Sequence, residues 1–203
     1  MVGPASAVYD KIAEPYAKKF SSPSQHLGEF LARVPKRGRI LDVGCGPGID
    51  AGYMASKGFD VIGIDASQVM IQIAKNKFPD MYFVRADMKK IRFPPSSFDG
   101  IVASCSLIHL RKKDVPGVLK KFFRLLKSDG VLYIALQGGR SRETYIDEPF
   151  KPDEKLFLNV FSFAEIRRLL IDNRFHIIKK YARAPKSKEE LNFTKLYVMA
   201  VKK

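Results

Sequence analysis

Acidic residues and closely spaced glycines stand where a short apolar run of the chain ends. Residues 40–43 have the composition of a buried parallel strand, and glycines follow at positions 44, 46 and 48 before an amphipathic stretch begins. Glycine allows positive φ and lets a ligand approach the main chain closely. A helix that begins just beyond such glycines presents unpaired N–H groups to that ligand. This pattern predicts a strand, a tight glycine turn and a helix that together form a ligand site.

The spacing of the glycines narrows the kind of ligand. Nicotinamide and flavin folds use G-x-G-x-x-G, whereas residues 42–48 read D-x-G-x-G-x-G. Further segments occur in a fixed order: an apolar run ending at Asp65, another followed by Asp87, a Ser-Phe-Asp turn, a hydrophobic-His-hydrophobic segment and a Leu-Lys turn into a fifth run. They lie at residues 61–65, 81–87, 97–104, 107–110 and 125–132. Together these motifs resemble the class I S-adenosylmethionine-dependent methyltransferases.

That resemblance implies a fold and an activity. The expected fold is α/β: a doubly wound, mostly parallel seven-stranded, Rossmann-like sheet with an antiparallel C-terminal strand and an N-terminal helical cap. The expected cofactor is S-adenosyl-L-methionine, whose methyl group moves to a small-molecule acceptor by in-line displacement. The Y-D-x-x-A-x-x-Y opening at residues 9–16 resembles small-molecule methyltransferases, including the type of ubiquinone and menaquinone biosynthesis and type 11 methyltransferase domains.

The resemblance also assigns residues to the cofactor. Asp42 would orient the glycine turn or the cofactor's ammonium group, and Asp65 would accept hydrogen bonds from both ribose hydroxyls. Asp87 would accept one from the adenine amino group. Met70 and Met88 would line the adenine ring. The full predicted set is Asp42, Gly44, Gly46, Gly48, Asp65, Ala66, Met70, Ala86, Asp87, Met88 and Ser104.

Two residues are candidates for catalysis. His109 follows the fourth strand, where a general base could reach an incoming nucleophile, although a histidine there can also be packed and bonded to the backbone. Tyr16 could lie over the sulfonium, where a ring face attracts a cation, or simply hold the N-terminal helix in place. Cys105 lies near the position where some pyrimidine-C5 methyltransferases place a nucleophile after a proline. It lacks that preceding proline, so the sequence favours a small buried core residue. Three further residues could contact substrate or be solvated: Arg140, Arg142 and Tyr145.

The charge of the chain leaves a second function open. The net charge is +15, and residues 101–203 carry 22 Lys and Arg against 11 Asp and Glu. A basic half can meet RNA, an anionic membrane surface or an acidic substrate, or it can consist of solvated helix faces. The alternatives to a small-molecule enzyme are therefore an RNA methyltransferase and a non-catalytic cofactor-binding relative. The aromatic and basic residues nearest to a nucleic-acid pattern are Tyr181, Arg183, Lys186, Lys188, Phe193 and Lys195.

Composition predicts the remaining properties. The 203 residues suit one domain, with a helical cap at 1–36, a cofactor-binding core at 37–137, a substrate lid at 138–160 and a C-terminal helix with a strand hairpin at 161–203. The chain has no 18-residue apolar run and no export signal, which predicts a cytoplasmic location. The two cysteines predict no disulfide framework, and no Cys/His spacing predicts a metal. The sequence does not predict the oligomeric state.

The pattern also predicts individual elements. A helix is expected over residues 8–20, interrupted or restarted at Pro15, and another over 26–34. Asp114 is expected to cap a helix that runs to residue 127, with strand five at 131–137. Ser67 and Ser162 are expected to cap helices, the latter in a capping box. Residues 138–159 are expected to be irregular, and strands are expected at 175–182 and 192–201.

Overall fold

A computed structural model describes residues 4–186 and 191–203. Residues 1–3, on which the prediction of no export signal partly depends, lie outside the described residues, and so does Lys188. The strands are β1 Arg39–Val43, β2 Asp60–Asp65, β3 Tyr82–Arg85, β4 Phe98–Ser104, β5 Leu126–Gly138, β6 Arg142–Glu148, β7 Lys151–Val160, β8 Phe175–Arg183 and β9 Thr194–Lys202. The α-helices are α1 Ala5–Lys19, α2 Leu27–Leu31, α3 Ile49–Ser56, α4 Gln68–Lys77, α5 Val115–Leu125 and α6 Phe163–Asp172.

The main sheet has seven strands in the order β3-β2-β1-β4-β5-β9-β8. The pairs among β1 to β5 are parallel, whereas β9 runs antiparallel to both β5 and β8. This confirms the predicted doubly wound sheet with an antiparallel C-terminal strand. Because ligands bind at the carboxyl ends of parallel strands in such sheets, the turns after β1, β2 and β4 define the edge where a site is expected.

Apolar side chains on both faces hold the sheet between its helices. Adjacent residues of β1 point to opposite faces, so Leu41 packs with α5 residues such as Phe122, while Ile40 packs with Phe30 of α2 and Met54 of α3. All five side chains are buried. Burial on both faces is what a parallel strand with helices on either side requires, and it fixes the turns at the carboxyl edge.

The prediction of an irregular segment at residues 138–159 is wrong. Strands β6 and β7 form a separate antiparallel hairpin, with a register shift between Asp147 and Glu148. Its first strand is mostly polar and exposed, so the sequence shows no regular alternation of apolar and polar residues there. In β7, Leu156, Phe157 and Leu158 are buried against the core. The Glu148 carboxylate accepts hydrogen bonds from the Phe150 and Lys151 N–H groups and closes the turn.

Several predicted boundaries also need correction. Helix α1 begins at Ala5 and runs unbroken through Pro15 to Lys19, although a proline inside a helix leaves one carbonyl without its internal donor. Helix α2 is shorter than residues 26–34, and α5 ends at Leu125 rather than at residue 127. Asp114 precedes α5 without capping it through its side chain, which lies 3.8 Å from Lys89 Nζ.

The two serine caps are confirmed. Ser67 Oγ accepts a hydrogen bond from the Met70 N–H, and Ser162 Oγ accepts one from the Glu165 N–H. Glu165 does not complete the predicted capping box, because its carboxylate binds Lys112 and Ser141 instead. Among the described helices, none is long and apolar enough to cross a membrane.

Candidate functional site

Two adjoining cavities lie along the carboxyl edge of the sheet. The first has a volume of about 660 Å³ and the second about 390 Å³. Seven residues line both, and we call them the shared wall: Tyr9, Tyr16, Gly44, Gly46, Ser104, Cys105 and His109. Helix α1 and the turns after β1 and β4 supply this wall. The arrangement provides two chambers that meet at a defined group of side chains.

The structure brings most of the predicted cofactor residues together. The first cavity is lined by nine of them: Gly44, Gly46, Asp65, Ala66, Met70, Ala86, Asp87, Met88 and Ser104. Asp42 lines the second cavity. Gly48 lines neither cavity, and a Cβ built on it would lie 2.9 Å from the Phe83 ring. Its φ of 80° at the start of α3 accounts for glycine at this position through backbone conformation and packing.

Asp65 links the second strand to the glycine turn. Its Oδ2 accepts a hydrogen bond from the Gly46 N–H at 2.9 Å, and its Oδ1 accepts one from the Ser67 N–H at 2.8 Å. Burial raises the pKa of Asp65, and these backbone donors oppose the rise. Because each carboxylate oxygen has a further lone pair, both can accept another hydrogen bond from a ligand in the first cavity.

The glycines of the turn differ in what surrounds them. Gly44 has φ of 74°, and an added Cβ would lie 2.3 Å from Ser106 Cβ. Gly46 has φ of 51°, but an added Cβ would meet no atom within 4 Å among the described residues. Gly44 is therefore required by the protein's own packing, whereas the open space at Gly46 lies in the cavities.

Three carboxylates surround the glycine turn. Asp42 is buried, and its Oδ2 has no hydrogen-bond partner among the described residues. Asp50, in the first turn of α3, accepts hydrogen bonds from the Ser24 N–H at 2.7 Å and the Ser24 hydroxyl at 2.6 Å. Burial raises the pKa of Asp42 well above its usual range, and the nearby charges of Asp50 and Asp65 add to the rise. A bound cation would relieve this repulsion.

His109 and Tyr9 form a hydrogen-bonded pair in the shared wall. The Tyr9 hydroxyl lies 3.0 Å from His109 Nε2, and His109 Nδ1 lies 3.1 Å from the Phe157 carbonyl. Because a carbonyl only accepts, Nδ1 carries the proton and Nε2 accepts the hydrogen bond from Tyr9. Burial lowers the pKa of His109 to about 4, so the imidazole is neutral near pH 7.

The other substrate-side candidates divide into two groups. Tyr16 lies in the shared wall with its ring centroid 5.4 Å from that of Tyr9, in an edge-to-face arrangement, and Tyr145 lines the first cavity. Arg140 and Arg142 line neither cavity. The prediction of Cys105 as a buried core residue needs correction, because it is half-buried in the shared wall with φ of 51°.

A row of polar and cationic residues crosses the far end of the second cavity. Gln137 on β5 pairs with Lys195 on β9, and Lys195 pairs with Arg183 on β8. All three line the second cavity, as does Lys186. Gln137 is 2% exposed, and its Oε1 has no hydrogen-bond partner among the described residues. The basic and aromatic residues noted in the sequence therefore contribute in part to a cavity wall.

Sequence reasoning missed several residues at the site. Asp50 follows the glycine turn in the first turn of a helix, where an acid is favoured, so it could have been found. Gln137 ends a predicted strand at the carboxyl edge and could also have been found. Ser24 and Glu148 line the second cavity through contacts with distant segments, and no local pattern marks them. Asp10 of α1 accepts hydrogen bonds from the Ser67 hydroxyl and the Val69 N–H.

Comparison with known proteins agrees with this architecture. A family model described as a methyltransferase domain matches residues 40–130. The chain is 35% identical over 156 residues to YqeM of Bacillus subtilis, a protein named as a methyltransferase, covering 73% of this chain and 63% of that protein. It is 30% identical over 136 residues to trans-aconitate 2-methyltransferase of Delftia acidovorans, covering 64% of this chain and 50% of that protein.

A solved structure extends the agreement to most of the chain. A SAM-dependent methyltransferase from Methanosarcina mazei superimposes with a TM-score of 0.79 at 21% identity, covering 89% of this chain and 98% of that one. At this identity the match shows the fold. The chain spans 63% and 50% of the lengths of the two curated relatives.

Proposed function

This chain carries a class I S-adenosylmethionine-dependent methyltransferase domain, and on that premise we propose that it transfers a methyl group to a small-molecule acceptor by in-line displacement. The observation that carries the proposal is the pair of cavities that meet at one shared wall. In-line displacement needs the methyl donor and the attacking acceptor atom on opposite sides of the methyl carbon. Two cavities that meet at one shared wall can hold them in this way. The cytoplasmic location and the single-domain organisation stay predictions.

The residues of the site fit the cofactor in two respects. The cofactor is cationic at its sulfonium and at its ammonium group, and the Asp42 Oδ2 is a buried acceptor without a partner among the described residues. The open space beside Gly46 lets a ligand approach the main chain. The buried oxygen without a partner is costly in an empty site, and a ligand that supplies positive charge and occupies the space beside the turn explains both features.

The chain's own residues would hold the cofactor as follows. Asp65 would bind the ribose hydroxyls with its remaining lone pairs, while the Gly46 and Ser67 N–H groups fix its orientation. Asp87 accepts a hydrogen bond from the Lys89 N–H through Oδ1, and its carboxylate would read the adenine amino group. Met70 and Met88 would line the ring. When bound, S-adenosylmethionine supplies an activated methyl group, so the protein's tasks are to bind, orient and exclude water.

The Tyr9 and His109 pair would take the proton that the acceptor loses. An acceptor O–H or N–H in the second cavity would pass its proton to the Tyr9 oxygen as the Tyr9 hydroxyl proton moves to His109 Nε2. The bond from Nδ1 to the Phe157 carbonyl holds the tautomer that this requires. The neutral form of His109 offers an acceptor nitrogen near pH 7, although burial, which lowers its pKa to about 4, makes it a weak base. Tyr16, beside Tyr9, would present its ring to the sulfonium.

The size of the second cavity favours a small acceptor. Its volume of about 390 Å³ lies within the range of small-molecule sites, roughly 300–1,000 Å³. Helix α1 and the β6–β7 hairpin cover it through the Lys11–Glu154 ion pair and the contact of Phe150 with Tyr16. A covered chamber of this size suits a metabolite better than a folded RNA, and we keep the RNA methyltransferase as the second candidate because of the basic C-terminal half.

Calorimetry tests the cofactor. S-adenosylmethionine and S-adenosylhomocysteine should bind at micromolar levels, and NAD should not bind. Asp65→Ala removes both ribose acceptors and leaves ligand hydroxyls unpaired, so it should weaken binding by roughly 1–3 kcal/mol. Asp60→Ala, at the exposed start of the same strand, is the matched control. Unchanged affinity in Asp65→Ala would refute the assignment of the first cavity.

Methyl transfer from labelled cofactor tests the acceptor class. The purified protein is offered a metabolite extract and total RNA separately, each at two salt concentrations. Label should enter the metabolite fraction, and RNA should bind only weakly near physiological salt because each phosphate contact is salt-sensitive. Transfer to a defined RNA at physiological salt would favour the second candidate, and cofactor binding without transfer to either would favour the non-catalytic relative.

A further inference from the structure

The second cavity has opposite charges at its two ends. Asp42 and Asp50 stand at the end beside the glycine turn, whereas Arg183, Lys186 and Lys195 stand at the end formed by β8 and β9. The acidic end suits the cationic cofactor. The cofactor's own carboxylate is the competing anion for the cationic end, and in that case Lys195→Met would weaken S-adenosylhomocysteine binding.

The cationic end is built with its charges side by side. Lys195 and Arg183 are directly paired across β9 and β8, and like charges opposite each other in an antiparallel pair are destabilising. The Arg183 guanidinium is held in place, since its Nε donates to Gln25 Oε1 at 2.9 Å and to the Tyr197 hydroxyl at 3.2 Å. Both side chains line the cavity, so an anionic group bound there would lie beside two cations.

Gln137 supplies a second, independent observation. Its side chain is almost fully buried beside Lys195, it lines the cavity, and its Oε1 lacks a partner among the described residues. A buried amide oxygen without a partner is destabilising, so a donor group of a ligand is its natural partner. Oε1 only accepts, so it would bond a hydroxyl or N–H group of the ligand, whereas Nε2 can donate to an anionic oxygen.

The cavity lining also includes apolar side chains, and the Glu148 carboxylate lies among the lining residues. Four of the apolar residues are Ile108, in the turn after β4, and Phe150, Leu156 and Leu158 of the β6–β7 hairpin. Such a wall favours a hydrocarbon or aromatic body. From the shared wall to the cationic end, the lining of the cavity fits a ligand with a nucleophile at one end, an apolar body and an anionic group at the other end.

We propose that the methyl acceptor carries a carboxylate or phosphate group on an apolar body, and that Lys195, Arg183 and Gln137 bind this anionic group. The inference rests on the proposed function, because it names the substrate class of the same site. The anionic group at the β8–β9 end places the rest of the acceptor toward Tyr9 and His109. These three residues therefore determine which molecules present a nucleophile at the shared wall.

A binding experiment with matched probes tests the anion site without a known substrate. The protein, saturated with S-adenosylhomocysteine, is titrated with benzoate and octanoate against benzamide and octanamide, which differ in charge but little in shape. Phenyl phosphate against phenol tests whether phosphate serves as well as carboxylate. Each anion should bind at least about tenfold more tightly than its neutral counterpart, as expected for a charge-assisted hydrogen bond.

Variants of the row locate the effect. Lys195→Met keeps the apolar stem and should remove the preference for the anion, and Gln137→Glu, which has nearly the same shape, should remove or invert it. Lys179→Met is the matched control, because Lys179 is exposed on β8 and lines neither cavity. Unchanged affinity for S-adenosylhomocysteine shows that each variant is folded and that the row does not hold the cofactor's carboxylate. Equal binding of anion and neutral probe in the unmodified protein, or an equal loss in Lys179→Met, would overturn the proposal.

Activity then separates this inference from the proposed function. A metabolite extract is divided on an anion exchanger, and both fractions are offered with labelled cofactor. Label in the retained fraction supports the anionic acceptor. Label only in the unretained fraction overturns the anionic acceptor while methyl transfer stands, whereas label in neither fraction counts against the proposed function and leaves the probe titration to decide the anion site.

Discussion

The two ends of the paired cavities differ in charge and in construction. The end beside the glycine turn is acidic, and Asp42, Asp50 and Asp65 come from one short stretch of chain across β1, α3 and β2. The β8–β9 end is basic and is assembled from β5 and the β8–β9 hairpin, which are distant in sequence. The difference indicates that the cofactor end depends on backbone conformation within a local unit, whereas the acceptor end depends on the packing of separate segments.

The glycine turn should show the largest effects, and it distinguishes binding from folding. Gly46→Ala places a methyl group in the cavity space, so calorimetry should detect no cofactor binding, while the free energy of unfolding falls by only about 1–2 kcal/mol for the positive φ. Gly58→Ala is the matched control, since it has φ of 88° and also meets no atom within 4 Å among the described residues. It should lose similar stability and keep its affinity.

Gly44→Ala separates the two causes at the same turn. The added Cβ would lie 2.3 Å from Ser106 Cβ, so urea unfolding should show a further loss of about 1–3 kcal/mol from overpacking. Equal stability of the Gly44 and Gly58 variants would contradict the packing role of Gly44. Retained cofactor affinity in Gly46→Ala would contradict the local construction of the cofactor end.

Tyr9→Phe should give the next largest effect, at the wall between the two ends. The change removes the hydroxyl that donates to His109 Nε2, so the rate of transfer to an accepting extract fraction should fall by about 100-fold, a typical contribution of proton transfer. Affinity for S-adenosylhomocysteine should change little. Tyr82→Phe, at an exposed position of β3, is the control. An unchanged rate in Tyr9→Phe would remove the pair from the reaction.

The same contrast explains what the sequence could predict. The fold and the turn from Asp42 to Gly48 were predictable because strand, turn and helix signals follow one another within a few residues. The partner of His109 was not, since Tyr9 lies 100 residues away and only packing brings them together. The hairpin was missed because β6 is mostly exposed and polar, so no alternation of apolar residues announces it.

Stability against pH isolates the burial of His109. Its folded pKa of about 4 lies below the ordinary 6.5, so between these values the unfolded chain binds a proton that the folded chain does not. His109 therefore opposes folding as the pH falls from about 6.5 to 4, by at most about 3 kcal/mol. The buried carboxylates with raised pKa, Asp42 and Asp50, act in the opposite direction. They are present both in the unmodified protein and in a variant that lacks only His109, so their effect cancels when the two are compared.

The measurement is urea unfolding of the unmodified protein and of His109→Asn across this pH range. Asparagine keeps a donor for the Phe157 carbonyl but does not titrate. The stability advantage of the unmodified protein should be full above pH 6.5 and should shrink toward pH 4. A constant difference would show that His109 titrates normally and is solvated, which would weaken its assignment as a neutral acceptor.

The smallest expected effect concerns the cover over the acceptor end. Helix α1 and the β6–β7 hairpin, the region predicted as a lid, are joined by the Lys11–Glu154 ion pair and by Phe150 against Tyr16 and Phe20. We predict that S-adenosylhomocysteine slows hydrogen exchange in both segments, because closure over a ligand excludes water.

Lys11→Met should reduce this protection by less than about 1 kcal/mol, since exposed ion pairs contribute little. Lys155→Met, which breaks the Lys155–Asp147 pair within the hairpin, should leave the coupling between the segments intact. Protection confined to the glycine turn and Asp65 would show that the two segments are a fixed cover, and that the acceptor reaches the second cavity without their movement.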